Sequence, residues 1–161
     1  MKKIKIFLDT SVVSHLDHKD TPEKMEQTHE LWEILKRNKY NVVIGQTVIE
    51  ELEECKEPKK GLLYDYLADI NYDYIENTDE IYKLAQEIVD FGILKKKNFD
   101  DCLNIATAIL TDCNIIVSWN YKHMVNVETI NGIRTITLAK RYNTIDIYPP
   151  NLLLEGDNED E

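Results

Sequence analysis

The stretch Lys5-Ile6-Phe7-Leu8-Asp9-Thr10-Ser11 is an apolar run that halts at a carboxylate followed by two hydroxyl residues. It reads as a β-strand that delivers an acid at its carboxyl end. In an open α/β sheet, ligands and chemistry gather just beyond the carboxyl ends of the strands, so an aspartate carried there by the first strand is placed for function. A structural role competes with this one, because Asp or Ser at such a point also caps a following helix by accepting hydrogen bonds from its free N–H groups.

Outward from that strand the chain alternates. Ile4 to Leu8 forms the first strand, and Thr21-Pro22-Glu23 opens a helix with a cap residue, a proline at the first position and an early acid. That helix is expected to bury Met25, Leu31, Trp32 and Leu35. Asn41 to Ile44 reads as a second strand closed by Gly45, and the helix after it carries Val48, Ile49 and Leu52 on one side. A further helix around Leu62 to Leu67 precedes a short strand near Tyr74-Ile75. Thr78-Asp79-Glu80 starts an amphipathic helix in which Ile81, Leu84, Ala85 and Ile88 recur at helical spacing until Phe91-Gly92. After a basic loop, Asn98 or Asp100 caps a nearly continuous apolar helix through Leu103, Ile105, Ala106, Ala108 and Ile109, which is expected to be mostly buried. Ile115-Ile116-Val117 reads as a fully buried strand, and a last strand, Thr144 to Tyr148, ends at Pro149-Pro150. The fold class is therefore α/β: a single domain with a parallel β-sheet flanked by helices on both faces.

Composition sets the limits. With 161 residues, 43% of them hydrophobic, the chain has the size of one domain and can bury a core without disulfides. The domain is expected to span residues 1–154, followed at 155–161 by an acidic, disordered tail that has no apolar anchor. The three cysteines, Cys55, Cys102 and Cys113, lie far apart without CxxC spacing, which supports neither a disulfide framework nor a zinc site and fits a cytoplasmic protein. No apolar stretch approaches the roughly 18 residues of a membrane span. The formal net charge of -11 argues against a module that only binds nucleic acid, since phosphate binding rests on Lys and Arg. Basic clusters persist at Lys56, Lys59 and Lys60, at Lys95-Lys96-Lys97, and at Lys140-Arg141.

Four segments share one property: each sets an acid or amide at a strand end or at the start of the helix beside it. They are Asp9, the Glu50-Glu51 pair, the Asp100-Asp101 pair and Asn120. Carboxylates gathered at one sheet edge suit a hard cation, because Mg²⁺ and Mn²⁺ take oxygen ligands. Without a cation, neighbouring carboxylates raise one another's pKa. Glu50 and Glu51 point about 100° apart on a helix. Glu51 is favoured as the inward member because Val48 and Leu52 flank its face, while Glu53 and Glu54 read as a solvated stripe. Asp101 lies four residues before Ile105, on the buried stripe of its helix.

On these residues the chain resembles the PIN-domain family, nucleases that include the toxin ribonucleases of toxin-antitoxin pairs. The matching pieces are Phe7-Leu8-Asp9-Thr10-Ser11, Val48-Ile49-Glu50-Glu51-Leu52, Asp101-Cys102-Leu103-Asn104-Ile105-Ala106-Thr107-Ala108 and Ser118-Trp119-Asn120-Tyr121-Lys122-His123, with Ile147-Tyr148-Pro149-Pro150 like the closing strand. The resemblance implies a PIN-like α/β/α sandwich and a metal-dependent endoribonuclease that hydrolyses RNA phosphodiester bonds with Mg²⁺ or Mn²⁺. It implies Asp9, Glu51 and Asp101 as metal-binding acids, Asn120 as a fourth catalytic position, and Ser11 and Ser118 as hydroxyl contacts near the site; His123, three residues after Asn120, reads either as a further substrate contact or as a residue that caps or packs a short helix. It also implies RNA as substrate, a small antitoxin as partner and a homodimer. Asn120 departs from the family pattern, in which many members have an acid, and matches a subgroup with Trp-Asn at this place. The amide removes one charge, so the second reading is an inactive PIN-like scaffold that binds RNA or protein.

Other enzyme classes fit less well. Haloacid-dehalogenase-like phosphohydrolases need a second Asp two residues after the first, where this chain has Ser11, and response-regulator receivers need an acid pair at the first strand end. His15 and His18 lack a third ligand at a useful spacing. Trp119 reads as core or interface more readily than as a base-stacking platform, Trp32 as core, and Tyr64, Tyr66, Tyr72 and Tyr74 as a candidate dimerisation patch.

Overall fold

The computed structural model describes residues 2–155. Its strands are β1 (Lys5–Leu8), β2 (Asn41–Gly45), β3 (Asp73–Ile75), β4 (Ile115–Val117) and β5 (Asp146–Tyr148). They form one sheet in the order β3-β2-β1-β4-β5, and every neighbouring pair is parallel. The helices are α1 (Thr10–Ser14), α2 (Pro22–Lys36), α3 (Gln46–Glu53), α4 (Lys59–Ala68), α5 (Asp79–Asp90), α6 (Phe99–Leu110) and α7 (Val127–Lys140). Seven helices around a five-stranded parallel sheet give the α/β/α domain expected from the alternation of elements.

The strand order places the site. From β1 the chain winds outward through β2 to β3, then crosses back to the other side of β1 to lay down β4 and β5. Right-handed crossovers in opposite directions send their helices to opposite faces, and the crevice opens where the winding reverses. That point lies between β1 and β4, whose registers pair Phe7 with Ile116 and Leu8 with Val117. Ile6, Phe7, Leu8, Ile116 and Val117 are all fully buried, as strands covered on both faces must be.

Several boundaries and burials differ from the sequence reading. Met25 is only partly buried: it shares the face of Thr28 and Trp32 but sits near the start of α2, before the turns through which Leu31, Trp32 and Leu35 reach the core. Ile115, at the start of β4, is also partly exposed, so that strand is not fully buried along its length. The last strand is shorter than 144–148 and holds three residues. Asn98 and Asp100 do not cap α6 through their side chains; the Asn98 amide turns instead to His123. Helix α7 has no counterpart in the sequence reading. Its β-branched residues and Gly132 disfavour a helix, and tertiary burial of Ile133 and Ile136 together with a cap from Asn126 Oδ1 to the Thr129 N–H (2.9 Å) override that bias. The acidic segment at 156–161 lies outside the described residues, while Glu155 accepts hydrogen bonds from Arg37 (3.0 Å) and Lys39 (2.8 Å). Among the described residues no helix is long and apolar enough to cross a membrane.

Both tryptophans belong to the core. Trp32 donates its indole N–H to the Tyr66 carbonyl (2.9 Å). Trp119, immediately after β4, donates to the Thr28 hydroxyl on α2 (2.9 Å) and so pins the β4 loop to that helix. Thr28 has no exposed surface, and a buried N–H stripped of its acceptor costs about 1–3 kcal/mol. Thr28→Val keeps the shape and removes the acceptor. Urea unfolding of this variant is expected to show a loss of stability of about that size.

Candidate active site

Asp9 sits at the carboxyl end of β1 with 3% of its surface exposed. It stands at the N-cap of α1 without making a side-chain cap bond. Its carboxylate is occupied elsewhere: Oδ2 accepts from Ser11 Oγ (2.8 Å) and Ser118 Oγ (2.9 Å), and Oδ1 accepts from Asn104 Nδ2 (3.3 Å). Each serine also accepts a backbone N–H from the loop after β4, Ser11 from Trp119 and Ser118 from Asn120, both at 2.9 Å. A hydroxyl that accepts on one side and donates on the other has its proton direction fixed. Both serines therefore aim donors at Asp9. Ser118 is fully buried, which leaves it no surface for a substrate, so its place is to position Asp9 rather than to touch a ligand.

The next helix brings the second acid. Glu51 on α3 is half-buried and accepts from Thr10 Oγ1 through Oε1 (2.8 Å), whereas Glu50 is exposed and takes a hydrogen bond from Gln46 on its own helix (2.6 Å). Glu51 thus faces the crevice and Glu50 faces away. Asp101 on α6 is half-buried and meets His123 Nδ1 at 3.1 Å, while Asp100 is exposed. Burial pushes Glu51 up to about 7; the Thr10 hydroxyl opposes this and Asp9, Asp100 and Asp101 add to it. Burial likewise pushes Asp101 up to about 7, with Asp9 and Asp100 contributing repulsion. The structure therefore brings Asp9, Glu51 and Asp101 within electrostatic reach of one another.

The remaining expected residues occupy the rim. Asn120 follows β4, and its Oδ1 accepts the His123 N–H (3.0 Å), a turn-stabilising bond that commits the amide oxygen to the backbone. His123 is held below the usual imidazole range by burial, with Lys122 and Lys97 contributing, and its Nδ1 lies 3.1 Å from Asp101 Oδ2. His15 and His18 stack on each other (4.6 Å between centroids); His15 bonds the Ser11 carbonyl and His18 the Thr21 hydroxyl. Two participants escaped the sequence reading. Thr10 fixes Glu51, and Asn104, 1% exposed, both binds Asp9 and keeps a buried Oδ1 without a partner. An amide within an apolar helix, one turn beyond Asp101, was the available signal for Asn104.

The donor chemistry at this edge suits a hard divalent cation. All the candidate ligands are oxygens, and Glu51 and Asp101 are pushed toward the neutral form by burial and by neighbouring acids, a cost that a cation would relieve. Among the described residues no three His, Cys, Asp or Glu side chains are drawn together into a ready cage. An ion such as Mg²⁺, which keeps several waters and uses one or two carboxylates, needs no such cage.

The chain was compared with known proteins. No family model matches, and no curated protein matches. Among solved structures, a chain of VapBC2 from Rickettsia felis, crystallised bound to a DNA fragment from their promoter, is similar over 91% of this chain and 98% of that one, with a TM-score of 0.57 and 16% identity. At that identity the likeness shows the fold, which is PIN-like.

The raised carboxyls give stability a defined pH dependence. Ordinary values are 4.5 for Glu51 and 3.8 for Asp101, so between about pH 4 and about pH 7 the folded chain binds more protons than the unfolded one. Stability contributed by the protonated forms is present below that window and is lost as pH rises through it. In urea titrations without divalent ions, the double variant Glu51→Gln/Asp101→Asn is expected to lose less stability than the parent between about pH 5 and about pH 8. Equal losses in the two proteins would show that these carboxyls are not frustrated.

Proposed function

We propose that this protein is a divalent-metal-dependent endoribonuclease acting at the carboxyl edge of β1 and β4. The observation that carries the reading is the group Asp9, Glu51 and Asp101 at the point where the sheet reverses its winding, with the last two pushed up to about 7 by burial and by the neighbouring acids. Asp9 and Asp101 would hold Mg²⁺ or Mn²⁺. When bound, the ion supplies charge neutralisation for the phosphate oxygens and a lowered pKa for water. Asp9 is kept in one orientation by Ser11, Ser118 and Asn104, so its lone pairs point to a fixed place. Glu51 uses Oε1 for Thr10 and keeps Oε2 to orient the attacking water and receive its proton. No covalent enzyme intermediate enters.

The fold likeness to VapBC2 supports a place for this chain as the toxin of a toxin-antitoxin pair, with a small antitoxin as partner. A homodimer is part of the same reading. Tyr72 and Tyr74 are exposed at edge strand β3, which gives such a dimer an aromatic surface, while Tyr64 and Tyr66 are half-buried on α4, where they meet Glu53 and His29 respectively. One observation favours the alternative of an inactive scaffold: the Asn120 amide oxygen already accepts the His123 N–H and brings an ion no negative charge.

Purified protein is expected to cut a mixed panel of single-stranded and structured RNAs with Mg²⁺ or Mn²⁺ and to stop in EDTA. Asp9→Asn or Asp101→Asn is expected to lower the rate by about a hundredfold or more. Full metal-dependent cleavage by either variant would end the nuclease assignment of this site. Absence of cleavage together with absence of metal-induced thermal stabilisation would support the scaffold, since an ion bound only by the folded state raises its apparent stability.

The serines allow a finer test. Ser118→Ala removes a buried donor behind Asp9 without touching the crevice, and loss of such a supporting bond typically costs ten- to a hundredfold in metal affinity. A Mn²⁺ titration followed by thermal stabilisation is expected to show weakening in that range. Unchanged affinity would mean that Asp9 needs no such support.

A further inference from the structure

Beside the carboxylates lies a cavity of about 580 Å³ whose lining includes Lys95, Lys97, Asn98, Tyr121, Lys122 and His123. We propose that this cavity binds the nucleotide adjoining the cut bond in a single-stranded RNA, with its lysines on the phosphates and Tyr121 stacked on a base. The inference rests on the nuclease reading for what is cut, and adds where the strand runs.

Position is the first argument. His123 belongs both to the cavity wall and to the site, since its Nδ1 lies 3.1 Å from Asp101. A strand with one phosphate at the acids therefore has this cavity as its next station. The volume falls within the range usual for small-ligand pockets.

Charge is the second. The chain as a whole carries -11, yet three lysines converge on this one recess, and Glu128 is the acid among its lining residues. Lys95, Lys97 and Lys122 are all exposed, and none of them forms an ion pair with a described acid. Lysines left free beside a carboxylate cluster do two things. They attract the phosphate backbone that the acids repel, and they hold it after encounter.

Rigidity and stacking are the third. Tyr121 is 47% exposed although it lies only two residues after the buried Trp119. Asn126 Nδ2 donates to both the Tyr121 carbonyl (3.0 Å) and the Lys122 carbonyl (2.9 Å), and Asn120 Oδ1 holds the His123 N–H. The turn that presents Tyr121, Lys122 and His123 is thus fixed before a ligand arrives. Lys24 Nζ lies 5.4 Å from the Tyr121 ring, which extends the cationic surface beyond the cavity. Aromatic faces interleaved with cations are how proteins hold single strands without reading their sequence.

The test separates binding from cutting. Fluorescence anisotropy with a labelled single-stranded oligoribonucleotide is run in EDTA, where no metal-dependent cleavage occurs, across a salt series. Lys95→Ala/Lys97→Ala/Lys122→Ala is expected to weaken binding at least about tenfold and to reduce the log-log salt slope by about 2, the value for three lost phosphate contacts on a single strand. Tyr121→Ala is expected to weaken binding about tenfold with the slope unchanged. Lys2→Ala/Lys3→Ala/Lys39→Ala, at the opposite end of the sheet, controls for the loss of net charge. If the cavity triple weakens binding no more than this control, or if a duplex of the same sequence binds the parent as well as the single strand, the proposal is overturned. The outcome for Asp9→Asn in the cleavage assay bears only on the nuclease reading, so the two fail separately.

Discussion

The constraint on which the rest of this structure depends is the double clasp on Asp9. Ser11 comes from the start of α1 and Ser118 from the end of β4; both donate to one carboxylate oxygen and both accept an N–H from the β4 loop. Four hydrogen bonds are made at once. The clasp ties the exit of β1 to the exit of β4 where the sheet reverses its winding, and it buries a carboxylate that would be costly there without donors. Asn104 completes the shell from α6 and brings Asp101, one turn earlier on the same helix, to the crevice. Thr10, beside Asp9, brings Glu51 from α3.

What this arrangement leaves is electrostatic frustration. The core around it is apolar and closed, from Phe7 and Leu8 to Ile105 and Val117, while at the crevice edge burial, aided by the neighbouring acids, pushes Glu51 and Asp101 up to about 7. A fold that only needed to be stable would replace Glu51 or Asp101 by neutral residues. Strain of this kind, kept against stability, is characteristic of functional sites. The lysines and Tyr121 next to the acids form a basic and aromatic rim, opposite in charge to the acidic crevice.

Much of this was legible in the sequence, for identifiable reasons. The alternation of apolar strands with amphipathic helices gave the parallel sheet, because strands buried on both faces must be continuously apolar, as in Ile6-Phe7-Leu8. The inward orientation of Glu51 could be read from Val48 and Leu52, since helical spacing is rigid. Helix α7 was hidden because Thr, Ile and Gly132 give it weak local preference, and only contacts distant in sequence make it form. The role of Ser118 was hidden for the same reason: whether a hydroxyl faces substrate or a carboxylate depends on which strand lies beside it. The cavity draws on residues 92–98 and 121–129, which meet only once β4 is in place.

The most direct test of the central claim, that Glu51 and Asp101, pushed up to about 7 by burial, would give up protons to a bound divalent cation, is a calorimetric titration of Mn²⁺ into the protein at about pH 6.5 in two buffers of different ionisation heat. Metal ligands must be deprotonated to bind, so binding here releases protons and the measured heats differ between the buffers. The account predicts saturable binding with net proton release, lost in Asp9→Asn/Asp101→Asn. Absence of saturable binding, or binding without proton release, would contradict it.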